Sequence, residues 1–376
     1  MKLVLDLQPH DTNGRNSEGS FARTSSGRIL FAYSRFNQTG GDDGGGCDIA
    51  LVSSGDEGET WSKPRIIASA EAFGVRNIMS VSRVEQKDGR IGFYFLVKEL
   101  DGSTSIARAL SKGGGTFALS RCRFLHNKQA VGPVSPPASL KEPMGDGNYY
   151  VINNDRFIRL PDGRLAAPAG RHNIRRYQDG AISYDGHAVS VIFVSDDEGA
   201  TFSLLPFRLT TSACRADDAG MQEPGLFVFK NGVVWIWART TAGGQYESFS
   251  HDGLIAFTPP APSIFTGPLS PLEVERNPVT GVIYAAYNPN RNYAGRGNDP
   301  FTWGRTPFVI RKSADEGRTW STPVVVEDDP SRGYCYPAMA FTQDGALLLA
   351  YCRGGHASAN CLCELGIMKL PLSEIP

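Results

Sequence analysis

Short apolar runs alternate with polar, glycine-containing turns along the whole chain. Six runs share one form, in which a turn ending in Gly precedes a strand-sized stretch rich in β-branched, aliphatic and aromatic residues. They read GRILFAYSRF, GRIGFYFLVKE, GRLAAPAGR, GVVWIWART, GVIYAAYNP and GALLLAYCRG. Long helical periodicity is absent, and 42 Gly with 24 Pro fit a chain with many turns. The pattern predicts an all-β protein built from repeated hairpins.

A second repeat occupies some of the turns. Ser54–Trp61 reads Ser-x-Asp-x-Gly-x-Thr-Trp, and complete copies recur at Ser195–Phe202 and Ser313–Trp320. Degraded copies follow Ser111 and Ser250. Together with the hairpin rhythm, these turns divide the chain into roughly six units of about 60 residues. We therefore expect a six-bladed β-propeller that occupies residues 1–376 as a single domain.

The residue types in this turn have a structural explanation. The Asp carboxylate can accept hydrogen bonds from backbone N–H groups, Gly can take a positive φ, and Thr can secure the return strand. The aromatic residue can then pack beneath the next strand. We interpret Asp56, Asp197 and Asp315 as residues that stabilise turns rather than as catalytic residues.

Composition narrows the class of protein. The formal net charge is −1 over 376 residues, so no overall field favours nucleic acid or an anionic membrane. Neither a signal-peptide pattern nor a membrane-spanning apolar stretch is present. The seven Cys show no paired metal-ligand spacing, so we expect no metal site. They are typical of reduced thiols, which predicts a cytoplasmic protein. A secreted protein whose leader was removed would look the same. The sequence indicates no organic cofactor and leaves the oligomeric state open.

The Ser-x-Asp-x-Gly-x-Thr-Trp turn resembles the Asp-box, or BNR repeat, of the sialidase (neuraminidase) superfamily. Members of that superfamily are six-bladed propellers, and the blade rhythm extends the resemblance over nearly the whole chain. The resemblance implies a site in which three arginines hold the carboxylate of a sugar. It also implies a Tyr–Glu pair that makes the nucleophile and an Asp that serves as acid and base.

Two segments match the nucleophile pair of this resemblance. In YPAMAFTQDG, Tyr336 stands eight residues before Asp344, and Tyr334 is the alternative on the same strand. In QEPGLFVFKNGVVWIWART, Glu223 begins a strand and would take the proton of the tyrosine as it attacks. A phenol has a pKa near 10 and needs such a base at neutral pH. A neutral nucleophile also suits an anionic sugar, because the sugar would repel a carboxylate.

The resemblance also supplies candidates for the clamp and for the acid/base. Arg239 in the same segment and Arg305 in GRTPFVIRKSADEGRTW match two of the arginines, whose planar guanidinium suits a carboxylate. The acid/base falls in the Gly-rich loop FNQTGGDDGGG, where we prefer Asp42 to Asp43 without a criterion that separates them. A mobile loop of this kind could bring the acid over a bound sugar and exclude water.

The first clamp arginine of the resemblance is missing. The strand RNSEGSFARTSSGRILFAYSRF has Glu18 in its place, and a carboxylate there would oppose an acidic substrate. Arg15, Arg23 or Arg35 could compensate for the loss. The glutamate that often braces this arginine is also absent, because LLLAYCRG offers Cys352. We therefore expect that part of the anion pocket has been rebuilt.

Other polar residues at strand starts are candidates for contacts with sugar hydroxyls and ring faces. The segment NNDR supplies Asp155 and Arg156, and three polar residues before a strand are hard to place in a core. Gln245, in GGQYESFS, is a further candidate for substrate binding, and His172, in AGRHNIRR, is another.

The sequence therefore predicts an exo-acting, retaining glycoside hydrolase of sialidase type that cleaves a terminal sialic acid or a related acidic sugar. Tyr336 would attack the anomeric carbon, Glu223 would act as its base, and Asp42 would protonate the leaving oxygen. The expected partner is a glycan. Two alternatives stay open, namely a non-catalytic carbohydrate-binding propeller and a polysaccharide lyase on the same scaffold with Tyr or His as base.

Overall fold

The structure is a computed structural model and consists almost entirely of β-strands. Single-turn 3-10 helices occur at Ala70–Phe73, His356–Ser358 and Leu372–Glu374. No helix in the described part of the chain is long and apolar enough to cross a membrane. Cys214, one of the cysteines counted above, lies outside the described residues. Those residues are 1–37, 41–113, 115–126, 129–131, 139–211, 217–291 and 299–376.

The first third of the chain forms ten strands. Consecutive strands pair mainly as antiparallel hairpins. The strands are β1 (Lys2–Leu7), β2 (Arg15–Arg23), β3 (Ile29–Phe36), β4 (Cys47–Ser54), β5 (Arg65–Ala68), β6 (Asn77–Glu85), β7 (Ile91–Lys98), β8 (Thr104–Gly113), β9 (Thr116–Arg121) and β10 (Arg123–His126).

The rest of the described chain continues the same pattern. Its strands are β11 (Gln129–Val131), β12 (Tyr149–Val151), β13 (Ile158–Arg159), β14 (Leu165–Arg176), β15 (Ile182–Ser195), β16 (Thr201–Leu204), β17 (Gln222–Val228), β18 (Val234–Arg239), β19 (Gly244–Ser250), β20 (Ala261–Thr266), β21 (Glu273–Arg276), β22 (Ile283–Tyr287), β23 (Phe308–Ser313), β24 (Val324–Glu327), β25 (Cys335–Phe341), β26 (Ala346–Cys352) and β27 (Leu365–Pro371).

Within the described residues, these strands form five sheets. Strands β17–β20 and β21–β24 are four-stranded sheets, and β10–β16 form a seven-stranded one. Strands β2–β9 form an eight-stranded sheet, whose two halves meet at a single parallel bridge between Cys47 and Asn77. The last sheet joins both ends of the chain, because β1 pairs with β27 beside β26 and β25.

Apolar side chains pack between neighbouring sheets all the way round the molecule. In the described chain, six large hydrophobic clusters each join two neighbouring sheets or the two halves of the eight-stranded sheet. The cluster of Phe31 and Leu348, for example, connects β3 to β26 and so closes the ring. The all-β, propeller-like fold predicted from sequence is confirmed. The count of six blades stays a prediction, because two of the expected units share one sheet.

The complete Asp-box turns have the geometry that the sequence predicts. The Asp56 carboxylate accepts hydrogen bonds from the Thr60 backbone N–H at 2.9 Å and from the Thr60 and Ser54 hydroxyls at 2.5 and 2.7 Å. The Thr60 bonds, followed by that of Ser54, lower the pKa of Asp56 to about 2. Gly58 has φ +84°, and a Cβ there would lie 2.7 Å from the Leu348 side chain. The Trp61 indole donates to the Gly58 carbonyl at 3.1 Å.

The glutamate inside each complete Asp-box connects neighbouring sheets. It pairs with an arginine of the same hairpin unit and accepts a hydrogen bond from a backbone N–H in a turn of the adjacent sheet, at Gln343, Lys87 or Lys230. The ion pairs are Arg23–Glu57 at 2.7 Å, Arg159–Glu198 at 2.8 Å and Arg276–Glu316 at 2.6 Å. These contacts give the turns a structural role, in agreement with our interpretation of their aspartates.

Candidate active site

Several inner strands carry the same irregularity, a one-residue bulge with a left-handed residue in it. Glu18 in β2, Ser80 in β6, Glu223 in β17 and Tyr336 in β25 have φ of 54°, 62°, 48° and 53°. At each of these positions the strand gains one residue relative to its hairpin partner. A bulge re-aims a side chain, and a non-glycine residue at positive φ is strained by of order 1 kcal/mol. Such strain is common at functional sites.

These four bulge residues line one common cavity of about 270 Å³. The cavity lies where the inner strands of different sheets come together, so residues far apart in sequence become neighbours. Its other polar lining residues in the described chain are Asp43, Lys98, Tyr149, Asn153, His172, Tyr184, Asp185, Gln222 and Arg239.

Tyr336 and Glu223 are in direct contact in this cavity. The Tyr336 hydroxyl donates to Glu223 Oε1 at 3.1 Å, and each residue is 7% exposed. Burial raises the pKa of Tyr336 well above its usual value, so the phenol is neutral at neutral pH. The pair therefore has the geometry that a phenol nucleophile and its base require.

Arg239 binds both members of this pair. Its Nη1 donates to the Tyr336 hydroxyl at 3.2 Å and lies 3.0 Å from Glu223 Oε2 as an ion pair. That oxygen has no aligned hydrogen-bond donor in the described chain. Gln222 orients the guanidinium, because its Oε1 accepts from Arg239 Nε at 3.2 Å and from Nη2 at 3.0 Å. Sequence reasoning missed Gln222, although it directly precedes Glu223.

A second charged group on the cavity wall is built around Arg15. This guanidinium is fully buried and donates to Glu18 at 3.1 Å and to Asp43 at 2.5 Å. Burial, only partly offset by Arg15, raises the pKa of Glu18 to about 7. Asp43 is 62% exposed, and Arg15 and Lys98 outweigh its desolvation and lower its pKa. Arg15 is therefore the arginine that accompanies Glu18, whereas Arg23 pairs with Glu57 in an Asp-box turn.

The structure distinguishes the two loop aspartates. Both are exposed, but Asp43 lines the cavity, whereas Asp42 lies outside its lining and accepts a hydrogen bond from the Gly44 backbone N–H at 2.7 Å. The role of either as acid/base stays a prediction. The structure also distinguishes Tyr336, which lies in β25, from Tyr334, which directly precedes that strand. Tyr334 is fully buried and its ring packs on Tyr351 with centroids 6.0 Å apart, away from the cavity. The alternation that placed both tyrosines on one face fails because Tyr336 sits in a bulge.

Arg305 is not on the cavity wall. It is 2% exposed, and its Nη1 and Nη2 donate to the Cys335 sulfur and the Leu269 carbonyl, both at 3.1 Å. Its guanidinium lies 5.6 Å from the centre of the Tyr336 ring, so it supports the tyrosine from outside the cavity. Arg305 therefore does not line the cavity in which a second clamp arginine was expected.

Three other candidate binding residues also lie elsewhere. Gln245 is buried, and its amide donates to the Ser270 carbonyl at 2.8 Å. Asp155 and Arg156 line a separate cavity of about 210 Å³, in which Arg156 pairs with Glu273. All three therefore lie outside the cavity that Tyr336 and Glu223 line.

Of the minor sequence candidates, His172 does line the site. Its Nδ1 lies 2.8 Å from the Asp185 carbonyl, and burial lowers the pKa of the ring. The structure adds Lys98, Tyr149 and Tyr184, which no sequence motif marks. They come from β7, β12 and β15, whose neighbourhood depends on how the sheets pack. A metal site is not apparent either, because the described residues hold no cluster of three His, Cys, Asp or Glu suited to an ion.

Several solved structures with similar folds are sialidases. The Hadza microbial sialidase Hz136 has TM-score 0.68 and 15% identity, covering 97% of this chain and 67% of its own. The intramolecular trans-sialidase from Ruminococcus gnavus has TM-score 0.63 and 13% identity over 99% and 97%. A Dyadobacter fermentans protein of unknown function has TM-score 0.69 and 15% identity over 98% and 99%. Identities this low establish a shared fold and not a shared activity.

Sequence comparison gives a family but no close relative of known role. No curated protein matches this chain. Residues 37–349 match the family described as BNR repeat-like domain, which agrees with the Asp-box turns and with the sialidase-like scaffold. Because the match spans most of the sequence, the chain belongs to the BNR repeat-like domain family.

Proposed function

We propose that the protein is an exo-acting, retaining glycoside hydrolase of sialidase type with Tyr336 as nucleophile. One observation carries the proposal, namely the 3.1 Å hydrogen bond from the Tyr336 hydroxyl to Glu223 on the wall of a cavity. The cavity of about 270 Å³ is at the small end for ligand pockets, which suits a terminal sugar better than a stretch of polysaccharide.

In the first step, the Tyr336 oxygen attacks the anomeric carbon while Glu223 takes the phenolic proton. The raised pKa of Tyr336 means that the proton must leave during the attack rather than before it. Arg239 lies within 3.2 Å of the phenol oxygen and compensates the negative charge that develops there. The bond from the anomeric carbon to the leaving oxygen breaks, and that oxygen takes a proton from a carboxylic acid.

We assign this proton donor to Asp43, which the sequence ranked second to Asp42. Asp43 is the more suitable because it lines the cavity and is 62% exposed, so a leaving group pointing to solvent can reach it. In the second step, Asp43 takes a proton from water, the water oxygen attacks the anomeric carbon, and Tyr336 leaves with the proton that Glu223 held. Configuration at the anomeric carbon is retained.

The architecture that fits this site is a single six-bladed propeller over residues 1–376. Dividing the eight-stranded sheet at the Cys47–Asn77 bridge gives two four-stranded units, β2–β5 and β6–β9. With the four other sheets this makes six units around the cavity, in line with the six hydrophobic clusters between them. The four left-handed bulge residues on the cavity come from four of these units.

A carbohydrate-binding propeller without turnover is the alternative. It is favoured by the ion pair of Asp43 with Arg15 at 2.5 Å, which holds that carboxyl ionised and so unable to donate a proton. Under the hydrolase proposal, the same contact predicts a rate that rises as the pH falls towards the pKa of Asp43.

The test is hydrolysis of a panel of aryl glycosides by the wild type, Tyr336→Phe and Tyr334→Phe. We expect Tyr336→Phe to reduce kcat by about 1,000-fold or more, because the nucleophile is removed without change of shape. Tyr334→Phe removes the same atom from a ring outside the cavity and should leave kcat within about threefold. A fluorinated glycoside of the best substrate should leave a sugar attached to Tyr336, seen by mass spectrometry. Equal activity of both variants would contradict the proposal.

A further inference from the structure

The cavity of the candidate active site has more acidic than basic side chains on its wall. In the part of the chain that the structure describes, the acidic lining residues are Glu18, Asp43, Asp185 and Glu223, and the cations are Lys98 and Arg239. A sugar carboxylate needs a cation whose charge is not already balanced, so each nearby cation has to be considered in turn.

Arg239 is already used by the protein. Its Nη1 serves Tyr336 and Glu223, while its Nε and Nη2 both donate to Gln222. Its side chain is only 12% exposed. A ligand carboxylate that bound this guanidinium would compete with Glu223 for its charge.

Arg15 is neutralised in the same way. It lies behind the cavity wall at 1% exposure, between Glu18 at 3.1 Å and Asp43 at 2.5 Å. Its Nε donates to Ser17 at 2.8 Å. One positive charge therefore faces two carboxylates, and none of it remains for a substrate.

Arg305 is directed away from the cavity by a cysteine. Its Nη1 donates to the Cys335 sulfur at 3.1 Å, and its Nη2 to the Leu269 carbonyl. Burial acts to raise the pKa of the Cys335 thiol. The hydrogen bonds from Cys352 and Cys361 and the charge of Arg305 outweigh burial and lower this pKa. Both hydrogen-bond partners of the Arg305 guanidinium thus lie inside the protein rather than in the cavity.

Lys98 is the remaining cation on the wall. Its ammonium group donates to the backbone oxygen of Asp43, whose carboxylate also lies nearby. Burial lowers the pKa of Lys98, although the charges of Asp43 and Glu18 act to raise it. One ammonium group thus faces two carboxylates, and the wall keeps more acidic than basic groups.

We infer that the cavity takes the terminal residue of a neutral glycoside, with a sugar hydroxyl donating to Glu18, and that it rejects sugars that carry a carboxylate. The Glu18 oxygens accept from Arg15 at 3.1 Å and from the Ser80 hydroxyl at 3.4 Å, which leaves acceptor capacity towards the cavity. Above the pKa of Glu18, about 7, an incoming carboxylate would meet the like charge of Glu18 instead. This inference rests on the proposed hydrolase function.

The same arrangement explains why a phenol nucleophile would persist with a neutral sugar. A neutral nucleophile was expected to avoid repulsion from a carboxylate on the substrate. Here a carboxylate belongs to the protein, because Glu18 lies on the wall of the cavity that holds Tyr336. Tyr336 avoids the repulsion from Glu18 that an ionised nucleophile would suffer.

The first test compares neutral and acidic aryl glycosides on the wild-type protein. The neutral set contains the α- and β-methylumbelliferyl glycosides of glucose, galactose, mannose, fucose, xylose and N-acetylglucosamine. The acidic set contains the α-sialoside and the β-glucuronide. We expect kcat/KM for the best neutral substrate to exceed that for either acidic one by about 100-fold or more. An acidic substrate within about tenfold of the best neutral one, or better, would overturn the inference.

Repeating the assay with Tyr336→Phe separates this inference from the proposed function. If an acidic glycoside is the best substrate and its cleavage is lost in Tyr336→Phe, the hydrolase proposal stands and the inference fails. If neutral glycosides are cleaved equally well by Tyr336→Phe, the proposed mechanism fails, whereas the preference for a neutral sugar is upheld.

A binding measurement decides the inference even if no glycoside in the panel is cleaved. The probe is oseltamivir carboxylate, titrated by calorimetry at a pH of about 8, where Glu18 is ionised. The wild type should bind it with a Kd above about 1 mM, and a tighter Kd would overturn the inference. Glu18→Gln keeps the shape but removes the charge, and should bind the carboxylate at least about tenfold more tightly than the wild type. Asp42→Asn, at the exposed neighbour of Asp43, is the matched control and should change nothing. An equal gain in both variants would contradict the specific role of Glu18.

Discussion

Glu18 and Glu223 occupy corresponding positions on two inner strands but have different partners. Each sits in a one-residue bulge with positive φ, 54° in β2 and 48° in β17. Each is nearly buried, at 5% and 7% exposure, and lines the same cavity. Glu223 faces a phenol and a guanidinium on the cavity wall, whereas Glu18 is held from behind by Arg15.

In both strands the bulge places a glutamate carboxylate at the cavity, and the residues around that carboxylate determine its chemistry. Beside the Tyr336 hydroxyl, Glu223 can accept a proton during attack. Glu18 has no such proton to accept, and burial raises its pKa to about 7. It is suited to hold a substrate hydroxyl and to exclude a negative charge. Four predictions follow from this difference, in order of decreasing effect.

The largest effect on activity is expected from Glu223→Gln. We expect kcat for the best glycoside to fall by about 1,000-fold, because the base for Tyr336 is lost while the shape is kept. Glu18→Gln is the matched change at the corresponding bulge, and should reduce kcat/KM by only about tenfold. Steady-state kinetics of both variants measure this difference. A greater loss in Glu18→Gln would reverse the roles assigned to the two glutamates.

The next largest effect should come from Arg15→Met. It leaves the buried Glu18 without its counter-ion, which is expected to lower the free energy of unfolding by about 3 to 5 kcal/mol. Urea denaturation at pH 7 measures the change. Arg35→Met, on the neighbouring strand β3, removes a partly buried arginine outside the cavity and should cost less than about 1 kcal/mol. Similar losses in both variants would show that Arg15 has no special role.

The raised pKa of Glu18 predicts a pH dependence of stability. Folding raises this pKa from 4.5 to about 7, so the folded state holds the proton more tightly than the unfolded state. Stability from this group is therefore lost as the pH rises from about 4.5 to about 7, by at most about 3 kcal/mol. The groups that interact with Glu18 are Arg15, Asp43, Glu223 and Lys98.

Glu18→Gln should remove this loss. The difference in free energy of unfolding between Glu18→Gln and the wild type should then grow steadily with pH across that window, as measured by urea denaturation at several pH values. A constant difference would mean that Glu18 titrates at the same pH in both the folded and the unfolded states.

The smallest effect on activity is expected from a change at Gln222, the neighbour of Glu223. Gln222 accepts from Arg239 at 3.2 and 3.0 Å and holds the guanidinium against Glu223 and Tyr336. Gln222→Ala should lower kcat by about tenfold, since Arg239 loses its orienting partner but keeps its charge. KM should change less than kcat. An unchanged kcat would indicate that Glu223 and Tyr336 position Arg239 without help.

Sequence reasoning succeeded where a residue's position follows from a repeat. The Asp-box turns were predicted in detail, because the hydrogen bonds of Asp56 run to residues within four positions of it. Tyr336, Glu223 and Arg239 were also predicted to meet, because each matches a site position of the superfamily that the sequence resembles. Their contact at 3.0 to 3.2 Å agrees with that expectation, and their roles stay proposals.

Sequence reasoning could not give a side chain's direction where that direction depends on packing. Arg305 stands at a matching place before β23, but it binds Cys335 and the Leu269 carbonyl and does not line the cavity. Asp42 and Asp43 are adjacent, and only the contact with Arg15 shows which one faces the cavity. Lys98 belongs to no motif, and its role depends on the position of β7 beside the loop of Asp43.

The order of residues along the chain determined the all-β fold, the turn chemistry and the strands that carry the candidate site. These features depend on local hydrogen bonds and on the period of apolar residues, which a sequence contains directly. Only the tertiary structure decided which charges face each other across the cavity. Electrostatic balance depends on distances between residues as far apart as Arg15, Glu223 and Tyr336, and packing of the sheets sets those distances.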